Sequence, residues 1–215
     1  MSANKYIIFD FDGTLVDSIE LAINVYNRIA PKYKCKPIQD EARELLSSRN
    51  PQKYFKEYGV TPFKLLLLVY TVRRELGKHI SDMNPVKGMD AALRDLRKAG
   101  YKLGVLTSNS RKNVGRFLEN NKLADLFEFI YSGRHLLGKD KVILDILRKE
   151  TIPADSVLYV GDETRDALAM KKAGIPIISV SWGLTKREKL ETLHPTAIAD
   201  NPAELLALAN GILTA

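Results

Sequence analysis

Two carboxylates, Asp10 and Asp12, stand two residues apart directly after an apolar run over residues 6–9, and Gly13 follows them. Side chains alternate along a strand, so both acids face the same crevice at its carboxyl end if the chain turns at Gly13. One carboxylate can then attack as a nucleophile while the other handles a proton, and together they can hold a divalent cation. The alternative is a turn in which the acids serve only as caps. The combination of two acids with glycine, threonine and leucine at these positions favours a catalytic role instead.

Thr107, Ser108 and Asn109 lie at the end of a second apolar run, residues 101–107, and just before a predicted helix. A hydroxyl and the backbone N–H groups at such a point can bind phosphate oxygens, so these three residues are candidate phosphate ligands. Serine and asparagine are also common helix N-caps, which is the competing structural explanation.

Lys139 and Lys141 fall at the start of a helix predicted over residues 141–150, behind Gly138. Positive charges are unfavourable at that end of a helix, so a lysine there is better explained if it points into the site. Its ammonium would neutralise both an attacking carboxylate and a transferred phosphoryl group. Lys139 is the first candidate for this catalytic and phosphate-binding role, Lys141 is the alternative, and two solvated lysines are the structural explanation.

Asp162 and Asp166 add two acids after an apolar run over residues 156–160. Carboxylate oxygens suit Mg²⁺, which keeps several waters and accepts one or two protein carboxylates. We expect Asp162 to bind the metal directly, with Asp166 behind it through a water or a backbone contact. A capping acid before the helix that begins at Thr164 is the competing explanation.

Predicted strands and helices alternate along most of the chain. The candidate site residues lie at the ends of these elements, so the fold that the elements form must bring those residues together. Near-continuous apolar runs, typical of buried parallel strands, cover residues 6–9, 101–107, 127–131, 156–160 and 175–180. Helical patterns between them cover residues 89–99, 111–121, 141–150 and 164–173. This order predicts an α/β fold with a Rossmann-like, doubly wound parallel sheet.

The stretch over residues 16–84 interrupts the alternation, because it shows helical periodicity and no convincing strand. It predicts a small all-helical insertion after the first strand, with the catalytic core formed by residues 1–15 and 85–215. Within it, the apolar run over residues 65–70 predicts a buried helix that is too short to span a bilayer.

Composition limits the class of protein. The chain has 215 residues, of which 45% are hydrophobic and 27% charged. Cys35 is its single cysteine, which excludes an intramolecular disulfide and a cysteine-based metal site, so the protein is expected to be cytoplasmic. Its net charge of +7 is spread along the chain and interleaved with acids, which argues against a nucleic-acid partner. The N-terminus lacks the apolar stretch of a secretory signal, and no segment predicts a membrane partner.

Taken together, these motifs, in this order and on these elements, resemble the haloacid dehalogenase-like (HAD) hydrolase superfamily over nearly the whole chain. The resemblance implies an attacking carboxylate at Asp10 and a general acid and base at Asp12, whose backbone carbonyl also binds Mg²⁺. It further implies a phosphate-binding hydroxyl at Thr107 or Ser108. The remaining implied roles are a motif lysine, Lys139, and a magnesium motif of Asp162 and Asp166 that acts with Asp10.

The acid at Asp12 separates the branches of the superfamily. Haloacid dehalogenases lack an acid at that position, phosphonate hydrolases carry a small residue there and transport ATPases carry threonine, so Asp12 implies phosphatase or phosphomutase chemistry. The helical insertion resembles the family's α-helical cap domain, and residues 15–18 are usual for capped members. Residues 159–166 and 180–183 most resemble phosphoglycolate-phosphatase-type proteins.

The resemblance therefore implies a Mg²⁺-dependent phosphatase of a small phosphorylated metabolite, such as phosphoglycolate, that works through an aspartyl phosphate. A phosphomutase of the same superfamily and a non-catalytic, receiver-like phospho-binding protein stay open, as does the oligomeric state. Ser110, Arg111, Arg49 and Lys53 are open candidates for substrate contacts or for surface and capping roles, and Trp182 is expected to pack rather than to recognise substrate.

Overall fold

A six-stranded parallel sheet forms the centre of the molecule. A computed structural model describes residues 4–39, 56–133 and 138–213. The strands are β1 (Tyr6–Phe9), β2 (Lys102–Thr107), β3 (Phe127–Ser132), β4 (Val157–Gly161), β5 (Ile177–Val180) and β6 (Ala197–Ala199). Their order is β3-β2-β1-β4-β5-β6, and every neighbouring pair is parallel.

Helices connect the strands and cover both faces of the sheet. They are α1 (Ile19–Ile29), α2 (Pro62–His79), α3 (Met89–Lys98), α4 (Arg111–Asn120), α5 (Lys139–Lys149), α6 (Thr164–Ala173), α7 (Arg187–Glu191) and α8 (Leu205–Leu213). Short 3₁₀ turns cover Ala30–Tyr33, Ile80–Asp82, Ala124–Leu126, Ala154–Ser156 and Pro202–Glu204. Helices α3, α4 and α8 pack on one face, and α5 and α6 pack on the other. The predicted Rossmann-like, doubly wound fold is confirmed.

The sequence of β1 explains why it lies in the middle of this sheet. Ile7 and Phe9 point into the core on one face, while Ile8 points into the core on the other. All three side chains are buried, and burying a side chain of this size stabilises the fold by roughly 1.5–3 kcal/mol. A strand that is apolar on both faces is stable only between two helical layers.

One strand and the start of one helix differ from the prediction. Strand β6 was not predicted, because three residues with two alanines carry little β-propensity. Helix α5 begins at Lys139 rather than at residue 141. Gly138, with a φ of 133°, lies before that first turn, so both lysines fall within it.

Between β1 and α3, the described residues 16–39 and 56–84 form what we call the helical segment, whose main elements are α1 and α2. The two helices pack together through a small core that includes Ile29 and Leu68. Isolated bridges join Val16 to Asp12 and to Pro85, where the segment leaves and rejoins the sheet region. Residues 40–55 of the predicted insertion lie outside the described residues.

The predicted burial of residues 65–70 is wrong. Leu68 is buried, but Leu66 and Tyr70 are 65% and 62% exposed, and Phe63 one turn earlier is 70% exposed. The reason is that α2 packs on α1 with one face only, so the opposite apolar face stays at the surface. None of the described helices has the length and apolar character needed to cross a membrane.

Candidate active site

The carboxyl end of β1 lies between those of β2 and β4, which is the position where doubly wound sheets bind ligands. Asp10 directly follows β1, Thr107 ends β2, and Asp162 directly follows β4. Three of the predicted motifs therefore meet at one edge of the sheet, as their positions after apolar runs suggested. The fourth, at Lys139, reaches the same edge from the first turn of α5.

Lys139 joins two of the acids. Its Nζ lies 2.7 Å from Asp10 Oδ2 and 2.6 Å from Asp166 Oδ1, and it also donates to the hydroxyl of Tyr159 at 2.9 Å. The Lys139 side chain is only 14% exposed, whereas Lys141 is an exposed residue. The structure thus brings Lys139, and not Lys141, to the carboxylates.

Asp162 is held from two sides. Its Oδ1 accepts a hydrogen bond from Thr14 Oγ1 at 2.7 Å, and its Oδ2 accepts one from the backbone N–H of Leu184 at 2.8 Å. Two glycines allow this close approach. A Cβ at Gly13, whose φ is 78°, would lie 2.5 Å from Asp162 Oδ2, and a Cβ at Gly183 would lie 2.2 Å from Asp162 Cβ.

Two neutral donors bond the Asp12 side chain, and Arg73 acts on it electrostatically. Its Oδ1 accepts from Ser18 Oγ at 3.1 Å and its Oδ2 accepts from Asn109 Nδ2 at 3.0 Å. The two acids of the motif therefore have different partners, since Lys139 bonds Asp10 while Ser18 and Asn109 bond Asp12. The side-chain amide of Asn109, a predicted phosphate ligand, is used here to position Asp12.

The two candidate hydroxyls after β2 have different surroundings. Thr107 is 2% exposed, and its Oγ1 accepts a hydrogen bond from the backbone N–H of Asn109 at 3.0 Å. Ser108 is partly exposed and lines a cavity of about 450 Å³ together with Asp10 and Lys139. Of the two hydroxyls, that of Ser108 is the more accessible from this cavity.

Crowding of acids in a buried place changes their pKa values. Burial, reinforced by the charges of Asp166 and Glu163, raises the pKa of Asp10 to about 7 against the opposing effect of Lys139. Burial and the neighbouring acids likewise raise the pKa of Asp162 well above its usual value. Burial disfavours the charged form of Lys139, yet the carboxylates outweigh it and raise the pKa of the ammonium well above its ordinary range.

A divalent cation fits this group of acids. Asp10, Asp162 and Asp166 each offer one carboxylate oxygen, and these three oxygens lie within 4.8 Å of one another. Hard oxygen ligands are those that Mg²⁺ prefers, and a cation would offset the excess of negative charge over that of Lys139. The Asp12 side chain is not in this group, so the predicted contribution of Asp12 to a metal site rests on its backbone carbonyl.

Asp166 contacts both Lys139 and the start of α6. Its Oδ1 bonds Lys139 directly, while its Oδ2 accepts from the backbone N–H of Glu163 at 3.3 Å and so caps α6. Asp166 lies in the first turn of α6, and the N-cap residue before that helix is Glu163.

Sequence reasoning missed several residues that touch the site. Tyr159 bonds Lys139, and Thr14 bonds Asp162. From α2, Arg73 donates a hydrogen bond to Ser108 Oγ at 2.9 Å. The only sequence signal for Arg73 was its place beside an apolar run, which carries no information about the partner across the cavity.

The remaining candidates have structural contacts or lie elsewhere. Ser110 caps α4 by accepting from the backbone N–H of Asn113 at 3.2 Å, and Arg111 is exposed. Trp182 packs on the core and donates to the backbone carbonyl of Thr14 at 3.2 Å. Arg49 and Lys53 lie outside the described residues.

The chain is similar in sequence to known hydrolases over most of its length. A family model described as "Haloacid dehalogenase-like hydrolase" matches residues 7–180. A phosphoglycolate phosphatase of Synechococcus elongatus is 33% identical over 200 residues, covering 93% of this chain and 94% of that protein. The pyrophosphatase PpaX of Bacillus anthracis is 25% identical, with 94% of each chain covered.

Solved structures share the fold over their whole length. A "predicted phosphatase" from Clostridium acetobutylicum superposes with a TM-score of 0.81 at 24% identity, and each chain is covered completely. CbbY from Rhodobacter sphaeroides, solved in complex with phosphate, gives a TM-score of 0.74 at 21% identity, covering 96% of this chain and 99% of its own. The matches in sequence and fold, together with the site at the carboxyl edge, establish that the chain belongs to the haloacid dehalogenase-like hydrolase family.

Proposed function

We propose that the protein is a Mg²⁺-dependent phosphatase of a small phosphorylated metabolite and that it works through an aspartyl phosphate on Asp10. The observation that carries the proposal is the arrangement at the end of β1. Asp10 is bonded to Lys139 at 2.7 Å inside a cavity, while Asp12, two residues later, is held by neutral donors. The same sequence motif thus supplies two carboxylates in two different environments.

Asp10 suits the role of nucleophile. Lys139 neutralises part of its charge, so an anionic phosphoryl group can approach without full repulsion. Attack of an Asp10 oxygen on phosphorus, in line with the leaving oxygen, forms the aspartyl phosphate as the bond to the leaving group breaks. A buried, hydrogen-bonded carboxylate loses little orientational freedom in this step.

Asp12 suits the role of general acid and base. Burial raises its pKa, although the hydrogen bonds from Asn109 and Ser18 oppose the shift. A carboxylic acid with a raised pKa can protonate the leaving oxygen and, once ionised, can take a proton from the water that hydrolyses the aspartyl phosphate. Ser18 and Asn109 hold the Asp12 carboxylate in one orientation for this role.

Asp10, Asp162 and Asp166 are the side chains that would hold Mg²⁺, with the backbone carbonyl of Asp12 as a further ligand. When bound, Mg²⁺ would neutralise charge on the phosphoryl oxygens. Thr14 and the backbone N–H of Leu184 keep the Asp162 oxygens in place for this purpose.

Phosphoglycolate is the first substrate to test and pyrophosphate is the second, because relatives of this chain are named for these activities. We also propose that residues 16–84 act as a cap domain over the core of residues 1–15 and 85–215. The support for the cap is that α2 reaches the loop after β2 through Arg73 and Ser108.

The test is phosphate release from a panel of metabolites, with Mg²⁺ or with EDTA, by the wild type and by Asp10→Asn. We expect release to require the metal and to fall at least about 10³-fold in Asp10→Asn, as for loss of a nucleophile. Asp17→Asn, which changes an exposed acid of the same loop, is the matched control and should stay within about twofold. Metal-independent release, or equal release by Asp10→Asn, would contradict the proposal.

A further inference from the structure

The side-chain amide of Asn109 meets Asp12 with its nitrogen end. Its Nδ2 donates to Asp12 Oδ2 at 3.0 Å. Its Oδ1 accepts from the backbone N–H of Ser110 at 2.8 Å and from Asn113 Nδ2 at 3.1 Å. An amide carries its donors at one end and its acceptor at the other. Turned over, it would set its oxygen against the Asp12 carboxylate and its NH₂ group against two donors, so the bonds to Oδ1 determine which end meets Asp12.

Asn113 supplies its donor from the first turn of α4. Ser110 is the N-cap of this helix, and its Oγ accepts from the backbone N–H of Asn113 at 3.2 Å. The cap fixes the backbone at Asn113 and, with it, the direction in which the side chain leaves the helix. The Asn113 amide is thus held next to Asn109 by a contact that does not involve Asp12.

A glycine of α2 leaves room for the Asn113 amide. A Cβ at Gly77 would lie 3.1 Å from Asn113 Nδ2 and 3.5 Å from its Oδ1. At the shorter of these distances the amide would have to give way by a few tenths of an ångström. Glycine inside a helix is less favourable than alanine, so its presence here needs a reason. That reason is the close approach of the helical segment to the side chain that orients Asn109.

The acids of the site are bonded by different kinds of group. A cation bonds Asp10, and a hydroxyl and a backbone N–H bond Asp162. One of the two hydrogen bonds to the Asp12 side chain comes instead from an amide whose own direction is set by a third residue, Asn113. The orientation of the Asp12 carboxyl therefore depends on a chain of two hydrogen bonds that begins in α4.

We propose that Asn113 is a positioning residue for the general acid: it orients the Asn109 amide, which in turn holds the Asp12 carboxyl for proton transfer to the leaving oxygen. This inference rests on the function proposed above. It predicts that protonation of the leaving group depends on Asn113, whereas attack by Asp10 does not, because Asp10 is held by Lys139.

The experiment compares Asn113→Leu with the wild type, in the presence of Mg²⁺, on two substrates with different leaving groups. One is phosphoglycolate, or the alkyl phosphate of the metabolite panel that the wild type hydrolyses fastest, whose leaving oxygen needs a proton. The other is 4-nitrophenyl phosphate, whose leaving group is a stable anion without one. We compare kcat/KM, which covers the steps up to departure of the leaving group, so hydrolysis of the aspartyl phosphate does not enter.

We expect kcat/KM for the alkyl phosphate to fall about 3- to 10-fold in Asn113→Leu, through kcat rather than KM, as for loss of one hydrogen bond. For 4-nitrophenyl phosphate we expect a change of no more than about twofold. Asn120→Leu is the matched control, because Asn120 lies seven residues further along α4 and bonds the backbone carbonyl of Ser81 at 3.2 Å. It should leave the ratio of the two rates unchanged.

Asn113→Asp separates the donor from the shape of the side chain. The carboxylate has the size of the amide but only accepts, so the Asn109 NH₂ group should turn to it and away from Asp12. We expect the alkyl phosphate to lose about 10- to 30-fold relative to 4-nitrophenyl phosphate. An acid in the first turn of a helix is favourable, so the midpoint of urea denaturation should not fall.

Asp12→Asn provides the reference for loss of the general acid itself. It should lower kcat/KM for the alkyl phosphate at least about 100-fold more than for 4-nitrophenyl phosphate. Equal losses on both substrates in Asn113→Leu, no loss, or wild-type behaviour of Asn113→Asp would overturn the role of Asn113. Inactivity of the wild type on both substrates, or equal losses in Asp12→Asn, would instead reject the proposed function and this inference with it.

Discussion

The edge of the sheet and the helical segment are built in different ways. At the edge, Asp10, Lys139, Asp162 and Asp166 are buried or nearly so, and each makes hydrogen bonds of 2.6–2.8 Å to another part of the chain. In the helical segment, α2 leaves Phe63, Leu66 and Tyr70 exposed and reaches the site through Arg73. The residues that we propose carry the reaction are thus each fixed by contacts from other parts of the chain, whereas α2, part of the proposed cap, is packed on one face only.

The largest effect should follow from removing the cation of the sheet edge. Lys139→Met leaves Asp10 and Asp166 buried without their shared partner, so we expect kcat/KM for phosphate release to fall at least about 10³-fold. Lys141→Met, two residues later on the exposed side of α5, should change it by less than about twofold. Comparable losses in both variants would remove the distinction that the structure makes between these lysines.

A smaller effect should follow from adding one methyl group behind Asp162. In Gly183→Ala the new Cβ would meet Asp162 Cβ at 2.2 Å, so the carboxylate must move. We expect activity to fall about 10- to 100-fold and the free energy of unfolding to fall by about 1–3 kcal/mol, measured by urea denaturation.

Gly115→Ala is the matched control for that variant, because a Cβ at this position in α4 meets nothing within 4 Å. We expect it to stabilise the protein by about 0.5–1 kcal/mol through helix propensity, with activity unchanged. If both glycine variants behaved alike, the close approach at Gly183 would have no functional meaning.

A still smaller effect should follow from removing one hydroxyl beneath Lys139. Tyr159→Phe keeps the ring in the core but loses the 2.9 Å contact to Lys139 Nζ. We expect kcat to fall about 3- to 10-fold with KM little changed, and stability to change by about 1 kcal/mol or less. A drop in stability of several kcal/mol with normal kcat would assign Tyr159 to packing alone.

The smallest effect is expected on the outer face of the helical segment. Phe63→Ala should change the free energy of unfolding by no more than about 0.5 kcal/mol, because the side chain is 70% exposed. Leu68→Ala, on the buried face of the same helix, should cost about 2–4 kcal/mol. Equal costs for the two variants, measured by urea denaturation, would show that α2 is covered on both faces.

Most strands of the sheet could be predicted because each is recognisable from its own residues. Buried parallel strands such as residues 157–160 are continuous apolar runs, and the acids that follow them must lie at the carboxyl edge. Strand β6 and helix α8 were missed because short or alanine-rich elements are fixed by tertiary contacts rather than by local pattern.

Some residues of the candidate site could be predicted because they lie at the ends of elements that the sequence predicts. Asp10, Lys139 and Asp162 were found because each lies next to the end of an element. The contacts of Asp12 with Asn109 and of Arg73 with Ser108 were not found, because they join residues 97 and 35 positions apart by side chains alone. Burial of the whole apolar run of α2 was predicted wrongly, because an apolar sequence does not show whether other elements pack on one face of a helix or on both.

In the proposed mechanism, Asp10 carries the phosphoryl group during turnover. Rapid acid quenching of the enzyme with phosphoglycolate and Mg²⁺, followed by mass spectrometry of the peptide that contains Asp10, tests this role. We expect the mass of one phosphoryl group on Asp10, removable by hydroxylamine, and more of it in Asp12→Asn, where hydrolysis of the intermediate is slowed. Turnover without phosphoryl on Asp10, or with the group on another residue, would contradict this account.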